Sequence, residues 1–219
     1  MTFVRGGFAL EWAQEKGVSV ELLLRDLTVK EMGALAREVE IEFVRHLAAS
    51  EVSIAAAEEG VEMWRTPVEW SFCNGAYLAR NPADAADGAA VVARVMDFFA
   101  RNKCHAWMLW LNAKVDRQAW EPHLLANGLR YDAGSPCMAL DTRTLPPVQK
   151  LPDGMRIERV GDYVGMDFFA RAGAAGFGQS EENANALAEL WCGFDIDGPL
   201  ECYIGYVGDE IVATAAGYF

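Results

Sequence analysis

The sequence predicts an α+β or α/β protein: a mixed β-sheet flanked by helices, with a helical extension before it and a second, smaller sheet-and-helix unit after it. Three observations carry that expectation. Apolar residues recur every three or four positions over the first third of the chain, which marks helix. Two short β-capable runs, 72–80 and 105–112, bracket a strongly amphipathic helix, which makes a β-α-β crossover with the two strands parallel. A proline-rich stretch at 146–153 (Pro146, Pro147, Pro152) then blocks helix and supplies no ladder donors, so it divides the chain into 1–145 and 154–219.

Taken in order, Glu11–Lys16 ends at Gly17, and Val20–Arg25 is a short apolar turn. Thr28 followed by Glu31 forms a capping box that opens a helix running to about Ala49. Met32, Leu35, Val39, Phe43 and Leu47 line its buried face, and Glu38, Glu40, Glu42 and Arg45 its solvated one. Val52–Ala57 and Val61–Arg65 form a hairpin around Glu58-Glu59-Gly60, where glycine provides the positive φ of a tight turn. Phe72–Arg80 is the next strand. Asn81-Pro82 begins a helix with proline in its first position and Asp84 near the positive end of the dipole, and Val91, Val92, Val95, Met96, Phe98 and Phe99 bury it on the sheet.

His105–Asn112 is continuous and apolar, as expected of a central strand covered on both faces. Arg117–Asn127 is a short helix disturbed by Pro122 and closed by Gly128, followed by strands at Leu129–Asp132 and Cys137–Asp141. Beyond the linker, Met155–Val160 alternates as a strand. Asp162 caps a helix that the Gly173–Gly178 region breaks, and Ser180 caps a second helix. Glu201–Val207 and Glu210–Phe219 form a last hairpin around Gly208-Asp209. The second unit therefore reads β-α-α-β-β. Its final strand presents an edge that predicts a neighbouring strand, from another copy of the chain or from within.

Composition limits the partners. A formal charge of −13, from 32 acidic against 19 basic residues, repels phosphate backbones, so nucleic acid and anionic membrane are not expected partners. No apolar run reaches the roughly 20 residues of a membrane span, and the first residues lack a signal-type core, so a cytoplasmic location is expected. Five widely spaced cysteines and the histidines His46, His105 and His123 show no paired metal-ligand spacing, so no metal is expected. Buried free thiols are the simplest account of Cys73, Cys104, Cys137, Cys192 and Cys202. A hydrolase built on Cys104 or Cys192 is a distant alternative.

The hairpin Tyr203–Thr214, read as a partly polar strand, a Gly-Asp turn and Ile211-Val212-Ala213-Thr214, resembles the front half of a GNAT-type N-acetyltransferase domain. The first unit resembles the back half of the same fold through Leu124-Leu125-Ala126-Asn127-Gly128-Leu129 and Met138-Ala139-Leu140-Asp141, and Phe72-Cys73-Asn74-Gly75 resembles the diverged first domain of tandem members. The resemblance implies transfer of an acetyl or acyl group from acetyl-coenzyme A, or another acyl-coenzyme A, to a small-molecule or protein amine. It also implies a pyrophosphate loop of the form Arg/Gln-x-x-Gly-x-Gly/Ala before a helix. The matching segment here, Arg80-Asn81-Pro82-Ala83-Asp84-Ala85-Ala86-Asp87-Gly88, replaces a donor by proline and adds two acids, so that site is expected to be degenerate.

The corresponding loop of the second unit is expected beyond Phe219, so no catalytic residue is assigned. Substrate-pocket candidates are Trp64, Trp70 and Asn74, an aromatic pair around an amide, and Phe177 with Glu181, beside the glycine-rich 172–178 segment. Core or domain-interface packing is the competing account of the tryptophans, and helix-start charge that of Glu181 with Glu182. Two functions therefore stand side by side: an acyltransferase, or a non-catalytic binding or assembly module built on degenerate acetyltransferase folds, self-associating through the last strand.

Overall fold

The computed structural model describes residues 28, 31, 41–112, 114–131, 147 and 150–218. Two compact units are present, one spanning Glu40–Pro136 and one that includes Cys137–Phe219. The helices expected at Glu11–Lys16 and Val20–Arg25 and the strand at Cys137–Asp141 lie outside the described residues, and the 146–153 linker is described only in part. The capping box at Thr28 is formed: Glu31 Oε2 accepts from Thr28 N at 2.8 Å and Thr28 Oγ1 accepts from Glu31 N at 3.3 Å. Residues 41–49 are helical, and we call this helix α1.

The first unit is a four-stranded sheet in the order β1-β2-β3-β4, with β1 Ile54–Glu58, β2 Val61–Arg65, β3 Gly75–Leu78 and β4 Met108–Leu111. β1, β2 and β3 are antiparallel neighbours, whereas β3 and β4 run parallel, Gly75 opposite Met108 and Leu78 opposite Leu111. The parallel pair is joined by α2, Ala85–Arg101, as the crossover predicts. Side-chain alternation divides the sheet into two faces. Val61, Met63, Ala76 and Leu78 meet Val91, Val92, Val95, Phe98 and Phe99 of α2 and Trp120 of α3, Arg117–Ala126. Trp64 and Tyr77 face the other way and pack with Ile41 and Val44 of α1. Burying a side chain such as Phe99 in this core is worth about 2–3 kcal/mol.

Four local expectations differ from the structure. The strand placed over Phe72–Arg80 is a 3₁₀ turn at Ser71–Cys73 followed by the shorter β3, because Asn74 ties its side chain to the preceding loop. Pro82 lies outside α2, whose N-cap is Asp84, its side chain accepting from Asp87 N. The strand from His105 begins only at Met108 and is half-buried, since among the described residues β4 has a sheet neighbour on one side alone. Residues 129–131 carry no strand.

The second unit is a three-stranded antiparallel sheet, β5 Met155–Arg159, β6 Leu200–Val207 and β7 Glu210–Tyr218, with β6 in the middle. Here the described strands are all antiparallel, and the mixed pairing belongs to the first unit. α4, Tyr163–Gly176, and α5, Glu181–Cys192, lie between β5 and β6 in the chain. Asp162 caps α4 and Ser180 caps α5, as their side chains predict. α4 runs through Gly173 and ends at Gly176, within the glycine-rich region expected to end it. Met166, Phe169, Ala170, Leu187 and Leu190 are buried with Cys202 and Ile204, and Trp191 bridges Phe169 and Phe194 at ring-centroid distances of 4.9 and 5.4 Å. No helix among the described residues is long and apolar enough to cross a membrane.

Candidate functional site

The segment from Arg80 to Gly88, between the end of β3 and the first turn of α2, is where the GNAT resemblance implies a phosphate-binding loop, expected here to be degenerate. Its geometry begins at the β1–β2 turn. Gly60 takes a φ of +74°, and a Cβ there would lie 2.8 Å from Arg80 Cγ, so only glycine lets the Arg80 stem lie across the turn. Ala79 N donates to Gly60 O at 2.8 Å and Arg80 Nε to Glu59 O at 2.9 Å, which aims the guanidinium at α2. There Arg80 meets Asp87 in a two-pronged pair, Nη1 to Oδ2 at 2.5 Å and Nη2 to Oδ1 at 2.9 Å. Arg80 Nη1 also donates to Asn81 O at 3.1 Å.

The same carboxylate accepts from Ala83 N at 2.8 Å, and Asp84 Oδ1 accepts from Asp87 N at 2.9 Å. Two backbone donors beside this helix start, Ala83 N and Asp87 N, are here bound to the chain's own carboxylates rather than open to an anion. The Arg80 guanidinium and the Ala83 N–H, in that order, hold the Asp87 carboxyl well below the usual carboxylate range, and Asp87 in turn raises Arg80. α3 fixes the loop from outside: Trp120 Nε1 donates to Arg80 O at 3.0 Å, and Asp116 N donates to Asn81 Oδ1 at 2.7 Å.

Trp64, Trp70 and Asn74 are brought together, though the amide is fully engaged. Asn74 is wholly buried: Oδ1 accepts from Thr66 N at 2.7 Å and Thr66 Oγ1 at 3.2 Å, while Nδ2 donates to Val68 O at 2.7 Å and to Trp70 O and Ala106 O at 3.1 Å. Trp64 is 2% exposed, donates through Nε1 to Cys73 O at 3.1 Å and stacks on Trp110 at 5.3 Å between centroids. Trp70 is half-buried beside Phe72, 5.6 Å between rings.

Phe177 and Glu181 lie in the second unit at the junction of α4 and α5. Phe177 is the C-cap of α4 and 71% exposed, Gly178 turns the chain with a φ of +65°, and Glu181 is exposed in the first turn of α5. Arg171 steadies the junction, bonded to Asp167 on its own helix and through Nη1 to Asn185 Oδ1 at 2.6 Å on α5. The chemistry available here is an exposed ring beside carboxylates, suited to a protonated amine.

The four described thiols offer little nucleophilicity. Burial pushes Cys73 and Cys202 up to about 12 and also raises Cys104 and Cys192. Among the described residues no group of three or more His, Cys, Asp or Glu side chains is arranged to hold a metal ion. The sequence marks Asp87 only as an acid facing a loop, because its pairing with Arg80 depends on the Gly60 turn that carries the arginine stem.

A β-hairpin, a third antiparallel strand and a parallel fourth reached through a helix, with a β-α-α-β-β unit in the same chain, define a GNAT-like fold. Among solved structures the chain is similar to a GCN5-related N-acetyltransferase from Kribbella flavida, with a TM-score of 0.52, 18% sequence identity, and 83% of this chain and 65% of that chain covered. At that identity the likeness is one of fold, and the chain spans just under two thirds of that structure's length. No family model matches the sequence, and no curated protein matches it either.

Proposed function

We propose that this chain serves a GNAT-type acyltransferase function in the cytoplasm, moving an acetyl or other acyl group from acyl-coenzyme A to the amine of a small molecule or a protein. The single observation that carries the reading is the arrangement of elements, matched over 83% of the chain to an N-acetyltransferase. The α4–α5 junction supports an acceptor role, with Phe177 as an apolar contact and Glu181 attracting a protonated amine. A non-catalytic binding or assembly module is the second reading. It is favoured by Asp87, which takes up donors that the fold would otherwise offer to the coenzyme's phosphates.

Calorimetric titration with acetyl-coenzyme A separates the two. The acyltransferase reading expects a Kd in the micromolar range, about −8 kcal/mol, followed by release of free coenzyme A thiol when an amine panel is added. No heat up to about 1 mM ligand would remove that reading for this chain.

A further inference from the structure

The acyl-coenzyme A that the fold implies does not fit the first unit. We infer that Asp87 acts as a built-in counter-anion that closes the start of α2 to phosphate-bearing ligands, making the first unit a self-occupied copy of the fold. A ligand phosphate approaching Arg80–Gly88 needs positive charge and free N–H groups. The Arg80 guanidinium donates to Glu59 O, Asn81 O and both Asp87 oxygens, which leaves one of its five N–H donors. Ala83 N is bound to Asp87, Asp87 N to the Asp84 side chain and Gly88 N to the Asp84 carbonyl, and Pro82 has no N–H at all, so Ala85 N and Ala86 N, directly behind the Asp84 carboxylate in the chain, are the helix-start amides with no bond described. Two carboxylates, Asp84 and Asp87, then stand where the anion would sit, and like charge repels it.

The closure is braced from three directions. The Gly60 turn holds the Arg80 stem, Trp120 holds the Arg80 carbonyl, and Asp116 N holds the Asn81 side chain. Opening the loop would break several of these contacts together. The Asp87 carboxylate therefore does for Arg80 and Ala83 what a bound phosphate oxygen would do, and coenzyme binding by the chain falls outside this unit. This inference rests on the GNAT-like reading for the ligand's identity alone, since the donor count holds for any phosphate.

Amide-resolved NMR of the full chain tests it, with inorganic pyrophosphate as the probe. In the wild type the Ala83, Asp87 and Gly88 amide signals should stay in place up to about 10 mM pyrophosphate. Asp87→Ser, which frees both Arg80 and Ala83 N, should show saturable shifts there and bind at least about 10-fold more tightly. Asp87→Asn keeps an acceptor for Ala83 N but loses the charge, and should fall between the two. Saturable shifts of the Ala83 amide in the wild type would overturn the inference. So would no gain in an Asp87→Ser or Asp87→Asn protein whose remaining spectrum is native. Acetyl-coenzyme A binding that leaves the Ala83 amide unmoved supports this inference and the acyltransferase reading together. Binding that moves it sinks the inference while keeping the function.

Discussion

Replacing Asn74 with alanine separates a pocket residue from a structural one. Its side chain is wholly buried and makes five hydrogen bonds, to Thr66 N, Thr66 Oγ1, Val68 O, Trp70 O and Ala106 O. Three of these partners keep other bonds in the variant, because Trp70 O also accepts from Cys73 N, Thr66 Oγ1 from Val68 N and Ala106 O from Cys104 Sγ. Thr66 N and Val68 O are left without the amide. Orphaning a buried polar group costs about 1–3 kcal/mol, and these two groups share one loop, so the expected loss is about 3 kcal/mol. With a urea slope of about 2 kcal/mol per M, the unfolding midpoint falls by about 1.5 M. Tryptophan fluorescence reads the transition, because Trp64 and Trp110 stack against each other in the same unit. A midpoint within about 0.5 M of the wild type would refute the reasoning and return Asn74 to the role of a ligand-facing amide.

Gly75→Ala should cost about 1–3 kcal/mol by the same measurement, since the new Cβ would overlap the Trp110 ring and lie 2.6 Å from Met108 O, a backbone atom that cannot move aside. A change under about 0.5 kcal/mol would mean that β3 and β4 are less closely apposed than described. The Asp87 carboxyl, held low by Arg80 and Ala83 N, binds a proton less readily folded than unfolded. Its contribution is therefore complete above the unfolded carboxyl value near 4 and is lost as pH falls below it. Denaturant midpoints measured from about pH 6 downwards should fall more steeply in the wild type than in Asp87→Asn below about pH 4. Equal slopes would show that the Arg80 pair does not shift this carboxyl.

Much of the fold was legible because its signals are local. The capping box at Thr28 and Glu31, the N-caps Asp162 and Ser180, and the turn glycines Gly60 and Gly208 each act within three or four residues, and each appears where the sequence puts it. The β-α-β crossover was legible from pattern alone, since a stripe as wide as Val91 to Phe99 has to cover a sheet. What the sequence hid depends on side chains reaching across space. Asn74 turns the front of an expected strand into a 3₁₀ turn by bonding Val68 and Trp70, and no periodicity records that. The helix start moved from Pro82 to Ala85 because Asp84 caps it, a competition between two good N-terminal signals that only the hydrogen bonds decide. Asp87 was visible as an acid near a loop, but its pairing with Arg80 requires the hairpin turn that carries the arginine stem.

The stacked indoles of Trp64 and Trp110, with their planes 21° apart, also give the first unit an optical label of its own. Two transition dipoles held so close couple to each other, and the resulting circular-dichroism couplet vanishes once β2 and β4 separate. Melting of this sheet can thus be followed without any dye or tag, while the second unit, whose described indole is Trp191, contributes no such paired signal among the described residues.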